Sequence, residues 1–332
     1  MKVCTNRRPA LTTALLIAGM AIAGLAIAVP ASAQEWPTRT VTVVVPLAAG
    51  SASDIMARVV MEQVGRQIGQ TVVVENRPGA GGTIGAGMVA KAVPDGYTIL
   101  CYGALATANA LYSKLPYDTL SDFIPVIVFG QQPLAVTTSP GKGYKTLGDL
   151  IAAGKAKPGS LNYSTAGVGS SSHFGAERLL VSAGIQAQHI PFRGAAESIT
   201  AIMSGQVDFS VQAFTTTVSH IREGKLLALA VSANTRSSMM PQVPTTVEAG
   251  LPADSVYPFY SGLFLPAKTP RPIVEKLHQE AAKALQAPAV QARLAQLGVE
   301  PMPMNLQQLD RFFRDDVAAA VALVKAAKIP SQ

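Results

Sequence analysis

The sequence predicts an α/β protein built as two lobes, each a parallel-rich sheet flanked by helices. Three observations point there. β-branched runs alternate with helical stretches at βαβ spacing, the alternation restarts midway along the chain, and each half contains a strand that runs through a Gly/Ser/Ala loop into a helix start.

The chain opens with an export leader. Lys2, Arg7 and Arg8 precede an apolar run over 10–29, and Ala31, Ser32 and Ala33 follow the small-x-small rule for signal peptidase. Cleavage is expected after Ala33, making 1–33 a signal peptide. The other reading is an uncleaved anchor, since the run is nearly long enough to span a bilayer. No second apolar run of that length occurs in the sequence.

"RTVTVVVPL" reads as a buried parallel strand. "DIMARVVMEQVGRQIG" carries Ile55, Met56, Val59, Val60, Val64 and Ile68 at helical spacing, with Asp54 in the N-cap position. "QTVVVEN" and "GYTILCYG" are further strands, separated by a short helix over 84–90. The second half repeats the scheme: strand "SLNYST", helix "HFGAERLLVSAG", strand "AQHIPF", helix "ESITAIMSGQ", then strands "VDFSVQAF" and "LLALAVSA". The chain is expected to cross between lobes near 126–136 and near 226–232. Two helices close it, one behind Pro270 and one capped by Asn305. The lobes are assigned as 34–134 with 236–332, and 135–235.

Composition excludes several functions. The formal charge of +7 includes three cations of the leader, and the remainder is scattered, which argues against nucleic acid. Once Cys4 leaves with the leader, Cys101 has no disulfide partner. Its run "YTILCYG" reads as buried. His173, His189, His220 and His278 show no metal-ligand spacing, so neither metal nor cofactor is expected.

"STAGVGSSSHFGAERLL" could hold a nucleophile, cradle an anion or simply turn the chain. Ser170, Ser171 and Ser172 follow Gly169, but no Gly-x-Ser-x-Gly string exists and no histidine can be placed beside a serine. "GAGMVA" does not follow a strand directly and is read as chance. The stretch fits an anion cradle better. Helix starts carry free N–H groups and partial positive charge, and small side chains let an anion approach them. Arg193 in "HIPFRGAAES" reads either as a cleft residue facing an anion or as a solvated loop arginine. His173 reads as a helix-start packing residue. "ENRPGAGG" reads as a structural turn.

"VVVPLAAGSASDIMAR", "ENRPGAGG", "PDGYTIL", "YSTAGVGSSSHFGAE", "HIPFRGAAES", "GQVDF" and "LPAKTP", in this order and spacing, resemble the Bug family over essentially the whole mature chain. These are the substrate-binding proteins of tripartite tricarboxylate transporters. The resemblance implies a monomeric, periplasmic, two-lobed binding protein of the type II class with a cleft between lobes. It implies no catalysis and no cofactor, a small organic-acid ligand, and membrane permease subunits as partners. It places the ligand against Leu47, Ala48, Gly50, Ser51, Ser53, Asp54, Ala104 and Thr107 of the first lobe. From the second it implies Ser164, Thr165, Gly167, Gly169, Ser170, Ser171, Arg193, Gly194, Ala195, Gln212 and Thr215. The first loop departs from the family's usual Pro-Phe-x-x-Gly-Gly-x-x-Asp: Leu47 stands for the aromatic residue and Ser51 for the second glycine. Two other functions fit the same scaffold at this point, a ligand-loaded sensor docking on a signalling receptor and an exported enzyme.

Overall fold

The computed structural model describes residues 1–2 and 36–330, so most of the leader and its cleavage point lie outside the described residues. Residues 37–330 form one compact unit containing two five-stranded sheets.

The first sheet begins with β1 (Val41–Val45), whose Val43, Val44 and Val45 are completely buried. Helix α1 (Ala52–Ile68) follows, then β2 (Val72–Asn76), α2 (Thr83–Ala90), β3 (Thr98–Tyr102) and α3 (Leu105–Leu111). β4 (Phe123–Gln132) leaves this sheet and runs into β5 (Leu134–Thr138) of the second. Pro133 alone separates the two strands, so the first crossing is a single residue.

The second sheet is filled by α4 (Leu147–Ala156), β6 (Leu161–Thr165), α5 (Ser171–Ala183), β7 (Ala187–Pro191), α6 (Ala195–Met203), β8 (Phe209–Ala213), α7 (Phe214–Arg222) and β9 (Leu227–Ser232). The chain returns through 233–258 to β10 (Phe259–Pro266), then α8 (Arg271–Gln286), α9 (Pro288–Gln296) and α10 (Leu306–Ala327). The second crossing therefore follows β9 and does not lie within it.

Strand orders are β2-β1-β3-β10-β4 and β7-β6-β8-β5-β9. In each, three strands are parallel, and the strand that enters from the other lobe pairs antiparallel on both sides. The sheets are thus mixed. An antiparallel insertion is what a chain entering from the opposite lobe produces. Helix α10 packs against α3 beside the first sheet and α5 beside the second. There Leu111, Phe174, Ala320 and Leu323 share one buried cluster.

Local signals acted largely as expected, with instructive differences. Asn305 caps α10 in a reciprocal box with Gln308. At α1 the cap is Ser51, one turn before the expected Asp54. The Ser51 hydroxyl accepts from the Asp54 N–H at 3.4 Å, and Asp54 is the third helical residue. Helices α3, α4, α7 and α9 were not anticipated. α7 starts directly at the end of β8 with no loop to announce it. Cys101 is buried in β3, its Sγ 3.6 Å from Ser261 Oγ, and burial pushes the thiol up to about 12.

Candidate functional site

A cavity of about 680 Å³ lies between the two sheets, where four loops meet. All four leave the C-terminal ends of parallel strands, the position at which α/β sheets expose helix starts.

The loop after β1 contributes Pro46, Leu47, Ala48 and Ser51. Its shape is held from below by Asp54. One carboxylate oxygen accepts from the Gly50 N–H at 2.9 Å, the other from Arg58 Nε at 3.1 Å and Asn76 Nδ2 at 3.0 Å. Asn76 also donates to the Leu47 carbonyl. Burial pushes the Asp54 carboxyl up, but the hydrogen bonds from Arg58, Gly50 and Asn76 outweigh it and hold the group below the usual range. The left-handed turn this requires falls on Gly50 (φ +78°).

The loop after β2 contributes Pro78, Gly79, Ala80, Gly81 and Gly82. Tyr102 donates its hydroxyl proton to the Gly81 carbonyl, tying the loop to β3. "ENRPGAGG" is therefore a turn whose Pro78 to Gly82 also form cavity wall. A Cβ on Gly81 would collide with the Val168 carbonyl of the other lobe and lie 2.7 Å from Tyr112 Oη. Only glycine permits that approach.

The loop after β6 contributes Ala166, Gly167 and Val168. Most of its donors are consumed inside the loop. The Ala166 N–H donates to Ser172 Oγ at 2.9 Å, Gly167 N–H to Thr165 Oγ1 at 3.2 Å, Gly169 N–H to His173 Nδ1 at 3.3 Å and Ser170 N–H to the Gly167 carbonyl at 3.2 Å. The Ser170 hydroxyl donates to the Gly167 carbonyl and accepts from the His173 N–H as helix cap. The expected cradle is thus largely closed upon itself. Behind it, the His189 ring stacks between His173 (centroids 4.2 Å apart) and Tyr163 (5.0 Å). Burial pushes His173 down to about 3 and His189 to about 4, so both are neutral near pH 7. His173 is a packing residue, as its sequence position suggested.

The loop after β7 contributes Pro191, Phe192, Arg193, Gly194 and Ala195. Its Arg193 side chain is exposed, and among the described residues no carboxylate pairs with the guanidinium. The Arg193 backbone N–H donates to Glu197 Oε2 at 3.2 Å. A Cβ on Gly194 would stand 3.2 Å from the Cβ of Ala48, so the lobes also approach at this corner.

Of the residues implied from sequence, Leu47, Ala48, Ser51, Gly167, Arg193, Gly194 and Ala195 line the cavity. Gly50, Ser53, Asp54, Ala104, Thr107, Ser164, Thr165, Gly169, Ser170, Ser171, Gln212 and Thr215 lie outside its lining. Many of these are supports. Ala104 precedes α3, and Thr107 lies within it. Ser164, Ser198 and Gln212 form a buried hydrogen-bonded chain beneath the second lobe's loops. The Ser53 and Thr215 hydroxyls are buried without a protein partner, leaving capacity for a water. Sequence reasoning missed Pro46, Tyr112, Pro191 and Phe192 as lining residues, while Ala166 and Val168 fall within the expected loop 164–171. Only the glycine run at 79–82 carried a signal that could have added the β2 loop.

The sequence matches the profile of the tripartite tricarboxylate transporter family receptors over residues 56–329. The chain belongs to that family. It is 33% identical to the protein BugT of Bordetella pertussis over 318 residues, 95% of this chain and 97% of that one. Among solved structures it resembles MatC from Rhodopseudomonas palustris with bound malate (34% identity, TM-score 0.82), covering 87% of this chain and all of the other. It also resembles an R. palustris protein with adipate (29% identity, TM-score 0.85, covering 90% and 100%). The chain is therefore a periplasmic solute-binding protein of the two-lobed class. Among the described residues no helix is long and apolar enough to cross a membrane, and no group of His, Cys, Asp or Glu could hold a metal ion.

Proposed function

We propose that this receptor captures a small organic anion in the interlobe cavity and hands it to the membrane permease subunits of a tripartite transporter, without catalysis. One observation supports this most directly. The cavity has a single cationic side chain, Arg193, with no acidic partner, in a family whose solved relatives hold malate and adipate. On this reading the ligand touches Leu47, Ala48, Ser51, Gly167, Arg193, Gly194 and Ala195, with Pro78 to Gly82 and Phe192 added. Asp54 and Ser170 shape the loops. The lobes 34–134 with 236–332, and 135–235, move about the two crossings, at Pro133 and just after Ser232. The leader 1–33 is removed on export. A thermal-shift screen of mono-, di- and tricarboxylates, aromatic acids and amides tests the proposal. A ligand at a hundred times its Kd stabilises by about 2.7 kcal/mol, a readily visible shift. Turnover of any acid, or no shift with every acid, contradicts it.

A further inference from the structure

We infer that His173 is a positioning residue for solute binding: through one ring nitrogen it fixes Gly169, the residue of the second lobe that meets Thr107 of the first. This rests on the reading above that the two lobes close on a solute. Gly169 is held from both sides. Its N–H donates to His173 Nδ1 at 3.3 Å, and its carbonyl accepts from Thr107 Oγ1 at 3.1 Å. Its backbone is left-handed (φ +81°), and a Cβ there would stand 3.1 Å from Leu111 and 3.6 Å from Tyr112, both in the first lobe. Tyr112 also lines the interlobe cavity. A loop of glycines and small residues has many conformations open to it. The bond from Gly169 to His173 selects the one that aims this carbonyl across the cleft.

The surroundings of His173 prepare it as an acceptor. The ring is 3% exposed, on the first turn of α5. Its plane is set by the His189 ring, stacked on it at 4.2 Å and 10°, and His189 Nε2 is itself 2.7 Å from Thr165 Oγ1. His173 Nε2 faces Glu177 Oε1 at 3.7 Å, one turn further along α5, and the Tyr163 hydroxyl donates to that same oxygen. Facing a carboxylate, Nε2 carries the single proton of the neutral ring, which leaves Nδ1 bare toward Gly169. Burial keeps the ring neutral near pH 7. Packing alone would be indifferent to which nitrogen holds the proton. The chain from Tyr163 through Glu177 and His173 to Gly169 is not.

Two variants separate an acceptor from a packed ring. His173→Phe keeps a ring against His189 and removes the nitrogen. His173→Asn gives up the ring and places an amide oxygen where Nδ1 stood. Titration calorimetry with malate, adipate, citrate and benzoate reads them. For an acid that the parent binds, His173→Phe is expected to weaken affinity about 3- to 10-fold, the effect of one net hydrogen bond, and His173→Asn to recover part of that loss. Adding Thr107→Val to His173→Phe is expected to cost less than Thr107→Val alone, because the carbonyl it meets is no longer held. In the unliganded protein, long-range proton–nitrogen NMR on labelled histidine is expected to show His173 as the Nε2–H tautomer. A His173→Phe protein that binds like the parent or better than His173→Asn, or an Nδ1–H tautomer, overturns the inference while the solute-binding function stands. Should His173→Asn fail to fold, the Phe variant and the tautomer still decide. If the parent binds none of the four acids, the function beneath falls and takes the inference with it.

Discussion

One hydroxyl proton links the two lobes: Thr107 Oγ1 lies 2.7 Å from its own helix's Ala104 carbonyl and 3.1 Å from the Gly169 carbonyl across the cleft. The hydroxyl can donate to only one at full strength, so the two carbonyls share it. On the proposed reading of two lobes that close on a ligand, the Gly169 contact belongs to the closed state.

Thr107→Val keeps the shape and removes the shared donor. Affinity for the identified ligand is expected to fall about 2- to 10-fold, the effect of one net hydrogen bond. The melting temperature of each variant, measured without ligand alongside the titration, shows whether the loss is specific to closure. Parent-like affinity would mean the contact does not form in the loaded protein.

Gly81→Val attacks the other cross-lobe approach. A Cβ there meets Val168 and Tyr112, and the residue sits at φ +60°, where a β-branched side chain is strained. Binding is expected to drop by at least about 100-fold, with a stability cost of about 1–3 kcal/mol from strain. Chemical denaturation and calorimetry on the same preparation separate the two effects.

Asp54→Ala removes the acceptor that gathers Gly50, Arg58 and Asn76. The first loop loses its anchor, so both stability and affinity are expected to fall, stability by about 1–3 kcal/mol. Asp54→Asn restores part of each, because its amide oxygen still accepts. If binding falls equally in both variants with no change in unfolding free energy, Asp54 acts on the ligand directly.

Acid is expected to destabilise the protein between about pH 6.5 and pH 4. His173 and His189 have folded values near 3 and 4, below the ordinary 6.5, because burial disfavours the charged ring. In that window the unfolded chain binds more protons than the folded one, so stability falls as pH falls. Asp316, raised to about 6 by burial, and Glu177, also raised by burial, act in the opposite direction. The two histidines dominate, for a net loss on the order of 3 kcal/mol. His189→Gln should narrow the gap in melting temperature between pH 7 and pH 5. An unchanged gap would assign the acid sensitivity elsewhere.

Asp316→Asn isolates the opposing group. Asp316 accepts the Tyr260 hydroxyl at 2.5 Å, and a carboxamide oxygen can take over that role. The parent carboxylate is charged at a cost above about pH 6, and the cost disappears as pH falls toward the unfolded value of 3.8. The variant should be more stable at pH 8 by about 1–2 kcal/mol, with the gain shrinking toward pH 4. Melting curves across that range read it directly.

Much of the architecture was legible because it rests on short-range chemistry. The β-branched run at β1, the apolar spacing of α1 and the Asn305 box of α10 each involve residues within one or two turns of each other. Helix α7 was not legible, since "FTTTVSHIR" is rich in β-branched residues and follows a strand without a turn signal. The Ser51 cap was displaced to Asp54 in the sequence reading because both residues are good caps. Only the Gly50 turn decides between them.

By itself, the sequence determined two βα lobes, small-residue loops at strand ends and an arginine beside one of them, because propensity, periodicity and capping act over a few residues. Only the tertiary structure decided which of those loops face the cavity and which donors remain free. The donors of Gly167 and Gly169 look available in the sequence and are taken by Thr165 and His173 in the fold. Gly81 looks like a turn residue and proves to be where one lobe meets Val168 of the other. Both outcomes depend on residues brought together across the cleft or by a side chain's rotamer, and neither leaves a local pattern.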